Sequence, residues 1–515
     1  MKLRTKKIMI FSALAATLVI PSAVAVSCFN LNALDGAGYN LSTWNWDAKS
    51  ERYRVMIPNP DQNSKNKLIW PISSMPLYDG SLVLPQDNSS LIPDQGWYAP
   101  NANYLRNFQT SFALRFENQA YNKESNRYDK QVILGTGWIL DYQKTTDGSY
   151  PLTWYIATNV HVASALYNKN TYQEADPVFE YYQQPNATWT RQVSLTKWNL
   201  VDEANQNTPY KSEIKEDDYS LAKAYASGVV DREGTYQEGE QLLDGLPKIV
   251  YLGIDYLEDS PTNWNQNLKE ELIDFAVLEV KFKNEEIAKE ATSNYATWSD
   301  SDQANFLDKD YLTKTNENKN LDLKDNFYMA GFPNGKPRIN QEKIGEKDSN
   351  LTAYNPQWSQ AELDEAIKKY NLGDSFYENK AYSAFELNSQ KGIGDILLNL
   401  PYLQIEYRDI PHTTWALTYS FSRSGLSGGS SGSKITNKDN QIVGIHSLGS
   451  SSSENNTAFA LKSDGHAHDN YNGYVTPAYD IIYGGVEGQK TSYKSTMEKI
   501  FKGKNIETDL LGKIA

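Results

Sequence analysis

Residues 424–445 read Ser424-Gly-Leu-Ser-Gly-Gly-Ser-Ser-Gly-Ser-Lys-Ile-Thr-Asn-Lys-Asp-Asn-Gln-Ile-Val-Gly-Ile445, small residues followed by two apolar segments around a polar turn. A cluster of glycine and serine alone is typical of a flexible linker. Here a strand-like segment containing Tyr419 precedes the cluster, and a β-hairpin pattern with its turn at 437–440 follows it. Glycine adopts backbone conformations closed to other residues, so the stretch predicts a structured loop that directs backbone N–H groups inward.

The rest of the chain from about residue 106 favours a mainly β fold. Short β-prone runs bounded by turn residues recur at 111–116, 131–134, 137–140, 153–157, 249–252, 275–280, 327–330, 402–406, 414–417 and 441–445. Many short strands without alternating helices predict a sandwich or barrels rather than a parallel sheet. Long hydrophilic insertions separate the runs, and capping-box patterns predict helices at 359–373 and from Ser495.

A histidine and an aspartate stand next to two of these apolar runs. His161 follows Ile156-Ala-Thr-Asn-Val160, and it is the only one of the five histidines that follows such a strand. Asp274 heads the apolar run that ends at Val280, where an unpaired carboxylate is costly to bury. Taken separately, His161 could be a core residue and Asp274 a surface residue at the start of a strand. Together with the serine cluster they predict a site for nucleophilic catalysis.

The three motifs together resemble those of chymotrypsin-like serine proteases. Thr158-Asn-Val-His-Val162, Asp274-Phe-Ala-Val-Leu278 and Gly429-Ser-Ser-Gly-Ser433 occur in the same chain order as the His, Asp and Ser motifs of that class. The segment 429–446 is most similar to bacterial glutamyl endopeptidases. With the leader described below, the single cysteine and the long insertions, the chain resembles the mycoplasma immunoglobulin protease family of surface lipoproteins.

This resemblance implies a chymotrypsin-like double β-barrel with long inserted loops and a few helices. It also implies a catalytic triad of His161, Asp274 and Ser431, with the N–H groups of Gly429 and Ser431 as the oxyanion hole. His446 and Ser447 are expected to line the substrate pocket, and an acidic side chain before the scissile bond is one expectation for specificity. The intervals between the motifs are longer than in simple double-barrel proteases.

A second serine also fits a nucleophile motif. Ser427 lies in Gly425-Leu-Ser-Gly-Gly429, which matches both a protease-like Ser-Gly-Gly and the nucleophile elbow of α/β-hydrolases. An elbow requires a helix directly after the serine, whereas a hairpin follows here. The spacing from Ser431 to Gly444-Ile-His446 matches the protease pattern, so Ser431 is preferred.

The N-terminus has the pattern of a lipoprotein leader. Four basic residues among the first seven precede an apolar stretch that ends in Ala25-Val-Ser-Cys28. This resembles a bacterial lipobox, which predicts cleavage before Cys28, acylation of its thiol and a lipid anchor on the outer face of the plasma membrane. An ordinary signal peptide or an uncleaved anchor helix is the alternative. Cys28 is the only cysteine of 515 residues, so the chain has no internal disulfide, thiolate zinc site or cysteine nucleophile.

Charge and composition limit the partners. The formal net charge is −14, which disfavours nucleic acid because phosphate binding requires clustered Lys and Arg. The abundant tyrosine and tryptophan suit either protein recognition or half-buried strand positions. The acidic insertions lack the spacing of an EF-hand, so neither a metal nor a cofactor is predicted.

These patterns predict a surface-anchored serine endopeptidase that cleaves a host protein. The family resemblance suggests the immunoglobulin heavy chain as its substrate and a separate immunoglobulin-binding protein as a partner. The alternatives are a catalytically inactive adhesin or immunoglobulin-binding protein on a protease scaffold, and a solute-capturing lipoprotein, which alternating strands and helices would indicate. The predicted divisions are a signal peptide (1–27), a tether and irregular extension (28–105), a first barrel (106–323), a second barrel (324–490) and a C-terminal helix (491–515).

Overall fold

A computed structural model describes most of the chain between residues 102 and 514 and a few short segments before it. The described residues are 102–198, 201–202, 222–263, 269–311, 313, 327–332, 338–339, 384–385, 393–398, 405–422, 428–449, 456–468 and 474–514, except 123, 185 and 438, together with short strands between 45 and 99. The predicted signal peptide, Cys28, the predicted helix at 359–373 and Ser427 lie outside them.

Five short strands precede the main body of the structure. They are β1 (Asn45–Asp47), β2 (Arg52–Arg54), β3 (Ile57–Pro58), β4 (Leu68–Ile69) and β5 (Tyr98–Ala99). Helix α1 (Ala102–Gln109) follows them and leads directly into the first long strand.

The first array of strands contains the segments of the His and Asp motifs. Its members are β6 (Ser111–Asn122), β7 (Arg127–Tyr142), β8 (Thr153–Thr158), β9 (Trp189–Trp198), β11 (Ala222–Val230), β12 (Tyr236–Gln241), β13 (Lys248–Ile254) and β14 (Glu271–Lys281). All pair antiparallel, in the spatial order β12-β11-β9-β6-β7-β8-β14-β13. The short β10 (Val201–Asp202) pairs with β5 instead.

The second array surrounds the serine loop. Its members are β15 (Asn305–Phe306), β16 (Phe327–Gly331), β17 (Arg338–Ile339), β18 (Ala384–Phe385), β19 (Ile393–Leu398), β20 (Ile405–Tyr407), β21 (Ile410–Ser422), β22 (Lys434–Asn437), β23 (Gln441–Gly449) and β24 (Asn456–Ala460). Strands β22 and β23 form the predicted hairpin, with Lys434 opposite Ile445. A short parallel pairing of β14 with β21, at Glu271 and Thr413, joins the two arrays.

The remaining elements complete the C-terminal part and the connections. They are β25 (Lys462–His468), β26 (Tyr474–Asp480), β27 (Ile506–Thr508), β28 (Gly512–Ile514), α2 (Val160–Ala163), α3 (Glu285–Ala291), α4 (Tyr493–Ile500) and 3₁₀ turns at Gln173–Ala175, Phe179–Gln183, Pro261–Asn263 and Tyr295–Thr297. No helix among the described residues has the length and apolar character needed to cross a membrane.

Each array has apolar side chains packed at its centre. A large cluster of buried residues fills the first array and reaches residues of β21, β23 and β24, such as Trp415 and Phe459. A separate cluster that includes Phe327, Met329 and Leu417 lies within the second array. Strand β14 is buried along almost its whole length, which explains why residues 275–278 at its centre are all apolar.

The mainly β fold class predicted from the sequence is confirmed, while the division of the strands into two barrels stays a prediction. Every predicted β-run lies in a strand, except 402–404, which lies outside the described residues. The domain boundary at 323/324 stays a prediction, although β15 already pairs with β23 of the second array.

The C-terminal helix differs from the prediction. The capping box begins at Ser492, whose hydroxyl accepts from the N–H of Ser495, and not at Ser495 itself. Helix α4 ends at Ile500, and β27 and β28 then form a hairpin within the segment 491–515. The reason is that Asp141 accepts a hydrogen bond from the N–H of Leu510, so a buried carboxylate of β7 holds the turn of this hairpin.

Candidate active site

His161 lies in a single helical turn directly after a fully buried strand end. Strand β8 ends at Thr158, and α2 begins at Val160 after Asn159, whose backbone is extended. The flanking side chains of Val160 and Val162 are completely buried, whereas the His161 residue is 8% exposed. Tight packing on both sides therefore determines where the imidazole lies.

Asp274 is wholly buried and accepts hydrogen bonds from three groups. Its Oδ1 accepts from the His161 backbone N–H at 3.1 Å, and its Oδ2 lies 2.7 Å from His161 Nδ1. The Ser447 hydroxyl donates to the same Oδ2. Burial alone would raise the pKa of Asp274, but the nearby His161 and these hydrogen bonds hold it below its ordinary value. The carboxylate is therefore charged and fixes the imidazole.

Ser431 lies in the loop between β21 and β22, and contacts to both arrays hold that loop. Gly429 and Gly432 have φ of +97° and +95°, a region in which glycine is favoured. The carbonyls of Gly429 and Ser431 accept from the hydroxyl and the N–H of Thr136 in β7, at 2.9 and 2.8 Å. The N–H of Gly432 donates to the carbonyl of His446 at 2.9 Å.

The structure brings the three predicted triad residues together around Ser447. The hydroxyl of Ser431 donates to the Ser447 carbonyl at 3.3 Å, and the Ser447 hydroxyl donates to Asp274. Asp274 in turn holds His161. A helical turn and a strand of the first array, together with a loop and a strand of the second, therefore contribute to one cluster, although the residues lie far apart in the sequence.

The peptide between Ser430 and Ser431 is held in one orientation by Ser433. The carbonyl of Ser430 accepts from the N–H and the hydroxyl of Ser433, at 3.0 and 2.7 Å. A trans peptide directs its C=O and N–H in opposite directions, so the N–H of Ser431 points away from Ser433. This orientation agrees with the predicted role of the Ser431 N–H, while the roles of both Gly429 and Ser431 as oxyanion donors stay predictions.

His446 and Ser447, the predicted pocket residues, are both buried. His446 is 1% exposed, and burial together with the nearby His161 lowers its pKa to about 3. The His446 side chain is therefore neutral. Its contact with an acidic substrate side chain stays a prediction, and the Ser447 hydroxyl donates to Asp274 in this structure.

Several residues that hold the site together were not identifiable from the sequence. Thr136 connects β7 to the serine loop, and its carbonyl accepts from the Thr158 hydroxyl at 2.7 Å. The side chain of Asn159 donates to the Asp274 carbonyl at 2.7 Å. Thr158 and Asn159 belong to the quoted His motif, but nothing in the sequence near Thr136 indicates its partner 295 positions later.

One carboxylate cluster among the described residues has the spacing of a metal site. Single oxygens of Asp255, Glu270 and Glu271 lie within 4.8 Å of one another. Protein groups donate to each of the three: Lys490 to Asp255, Ser260 to Glu270 at 2.9 Å, and the N–H of Leu257 to Glu271 at 2.8 Å. The second oxygen of Glu271, Oε2, is buried and has no hydrogen-bond partner among the described residues, and no metal is assigned to the cluster.

A scan against protein-family models matches residues 101–448, about two thirds of the chain, to the family described as mycoplasma immunoglobulin protease. A membrane-associated lipoprotein of Ureaplasma parvum serovar 3 is 27% identical over 80% of this chain and 53% of its own length. This chain thus spans about half of that relative. An uncharacterized lipoprotein of Mycoplasma pneumoniae is 22% identical over 87% of this chain and 86% of its own length.

Among solved structures, one described as the structure of the mycoplasma MIB and MIP proteins is similar to this chain. The match has a TM-score of 0.46 and 17% identity, and it covers 75% of this chain and 60% of that one.

Proposed function

Since this chain belongs to the mycoplasma immunoglobulin protease family, we propose that it is a serine endopeptidase with His161, Asp274 and Ser431 as its triad. The observation that carries the proposal is the 2.7 Å contact between His161 Nδ1 and the buried Asp274. The Ser431 hydroxyl lies in the same cluster. A buried carboxylate that orients an imidazole, with a serine hydroxyl in the same cluster, is the set of groups required for nucleophilic catalysis by a hydroxyl group.

The proposed mechanism follows from these positions. The Ser431 Oγ attacks the scissile carbonyl carbon, and the imidazole of His161 takes the proton through Nε2, because Nδ1 is held by Asp274. The same imidazole returns the proton to the leaving amine. Water then attacks the acyl-enzyme with His161 as the base. The charged Asp274 stabilises the imidazolium in both steps, and the N–H groups of Gly429 and Ser431 bind the oxyanion.

We propose a folded host protein, the immunoglobulin heavy chain, as the substrate, and the description of the family as an immunoglobulin protease supports this choice. A separate immunoglobulin-binding protein that presents the substrate is part of this proposal. Lipoproteins among the relatives support a lipid anchor at Cys28 and a location on the outer face of the membrane. An inactive adhesin on a protease scaffold is the alternative, and the intact contact between Asp274 and His161 argues against it.

A fluorophosphonate probe tests the serine mechanism directly. We expect covalent labelling of the folded chain at Ser431, shown by peptide mapping, and loss of labelling in Ser431→Ala. Ser111→Ala is the matched control, because Ser111 is also fully buried and its hydroxyl makes no hydrogen bond to any residue that the structure describes. Labelling at Ser427, or labelling of Ser431→Ala at the wild-type level, would show that Ser431 is not the nucleophile.

The substrate proposal needs a separate assay. Purified IgG is incubated with the chain alone and with an immunoglobulin-binding partner, and heavy-chain fragments are expected that are absent with Ser431→Ala. An intact heavy chain in both mixtures, together with probe labelling at Ser431, would refute the substrate while leaving the serine mechanism standing.

A further inference from the structure

Arg408 is a buried cation in a strained turn. It lies with Asp409 between β20 and β21, and the two residues have φ of +52° and +63°. A residue with a Cβ is disfavoured in this left-handed region by roughly 1–2 kcal/mol. Hairpin turns of this kind usually contain Asn or Gly, so an arginine at this position suggests that its side chain has a role.

The guanidinium reaches the segment that directly follows His161. Its Nη1 donates to the carbonyl of Ser164, the residue after helix α2, and its Nη2 donates to the carbonyl of Leu166 at 2.5 Å. The hydroxyl of Ser164 donates back to the carbonyl of His161 at 2.6 Å. A helix of one turn has little stability of its own, so groups that bind its C-terminal end add to the packing of Val160 and Val162 in holding it in place.

Four tyrosine rings surround the same guanidinium. The Arg408 Cζ lies 4.0 to 5.8 Å from the ring centres of Tyr167, Tyr407, Tyr182 and Tyr181. The hydroxyl of Tyr182 accepts from Nη2 at 2.8 Å and donates to Asp176 at 2.6 Å. Within the described part of the chain, no carboxylate forms a salt bridge with Arg408. Its electrostatic partners are therefore carbonyls, aromatic faces and a hydroxyl bound to Asp176.

The hairpin that carries Arg408 also contacts the strand that carries Asp274. Five residues after Arg408, Thr413 pairs with Glu271 of β14, and its N–H donates to the carbonyl of Glu270 at 2.9 Å. One hairpin of the second array thus binds the His161 segment at one point and the Asp274 strand at another.

We propose that Arg408 is a positioning residue that sets His161 relative to Asp274 and Ser431, an inference that rests on the proposed serine mechanism. Lysine presents a single ammonium and cannot donate from a planar fork to two carbonyls. Arg408→Lys should therefore let α2 shift while the charge is kept. A shift of about 1 Å at a catalytic group lowers the rate roughly a hundredfold.

The test measures the rate of fluorophosphonate labelling at Ser431 across pH, the kcat and KM for a peptide substrate, and the thermal midpoint. For Arg408→Lys we expect labelling and kcat to fall tenfold to a hundredfold, KM to stay near the wild-type value, and the pH dependence of the labelling rate to change. Tyr182→Phe, which removes the hydroxyl bound to Nη2 but keeps the ring, should give a smaller change in the same direction. If Arg408→Lys does not fold, the labelling rate and pH dependence of Tyr182→Phe test the positioning role instead.

Tyr150→Phe is the matched control for general destabilisation, because it removes the buried contact of 2.5 Å between Tyr150 and Thr292 outside the site. It should lower the midpoint without changing rate or pH profile. Wild-type rates and profile in folded Arg408→Lys would overturn the positioning role. Absence of labelling in the wild-type chain would instead reject the serine mechanism on which the role rests.

Discussion

Replacing Gly432 by alanine should destabilise the fold and displace the serine loop, because a Cβ at this position meets both an unfavourable φ and a steric clash. A Cβ on Gly432 would lie 2.0 Å from the Thr136 carbonyl oxygen and 2.6 Å from the Thr158 hydroxyl, and the φ of +95° is itself unfavourable for alanine. The Thr136 carbonyl cannot move freely, because it accepts from Thr158 and because the N–H of Thr136 holds the Ser431 carbonyl.

Two effects make up the expected loss of stability. The left-handed backbone disfavours a residue with a Cβ by about 1–2 kcal/mol. Forcing an atom into a packed region adds roughly 1–3 kcal/mol. The sum is roughly 2–5 kcal/mol, a substantial part of the 5–15 kcal/mol by which a typical domain is stable. Since relief of the clash requires movement of the loop that carries Ser431, probe labelling should fall about a hundredfold as well.

Gly148→Ala is the matched control, because Gly148 has a φ of +76° but no atom within 4 Å of a Cβ. Gly148→Ala therefore introduces the unfavourable left-handed backbone conformation without a steric clash. Denaturant unfolding should therefore separate the two variants by about 1–3 kcal/mol, with Gly432→Ala the less stable. Equal stability and equal labelling rates for both variants would refute the idea that close packing against Thr136 holds the serine loop in place.

Four further changes have defined outcomes. Asp274→Asn should slow probe labelling roughly 10⁴-fold without unfolding the chain, because an amide favours the wrong imidazole tautomer; an unchanged rate would remove Asp274 from the triad. Lys434→Met should stabilise the fold near pH 7, because burial lowers the pKa of Lys434 from 10.5 to about 7. Between these values the unfolded chain binds a proton that the folded chain lacks, so wild-type stability rises with pH, and the advantage of methionine in denaturant unfolding should shrink toward pH 10.5; an advantage that grows with pH would contradict this. Cys28→Ser should move the chain from the detergent phase to the aqueous phase or leave it unprocessed, and a wild-type chain found wholly aqueous and unacylated would disprove the anchor. His446→Ala should change the residue preferred before the cut in a peptide library, and an unchanged profile would exclude His446 from specificity.

Local sequence was sufficient to predict many of the strands and to select the candidate triad residues, whereas β9, β11 and β12 were not predicted. The hairpin of β22 and β23 follows from two short apolar segments around a polar turn, and strand β14 from the mostly apolar run 275–280. His161, Asp274 and Ser431 were identifiable because each stands beside such a segment, in motifs only a few residues long. Capping was predicted less well, since Ser492 rather than Ser495 begins the box of α4.

Tertiary structure alone decided which distant groups meet. Thr136 binds the carbonyls of Gly429 and Ser431, Ser447 binds Asp274, and Arg408 binds carbonyls 244 and 242 positions earlier. A pattern of apolar and polar residues reflects which side of a strand is buried, because that property repeats along the chain. A side-chain hydrogen bond between distant segments depends on how the two arrays pack against each other. Such a contact produces no repeating pattern in the local sequence.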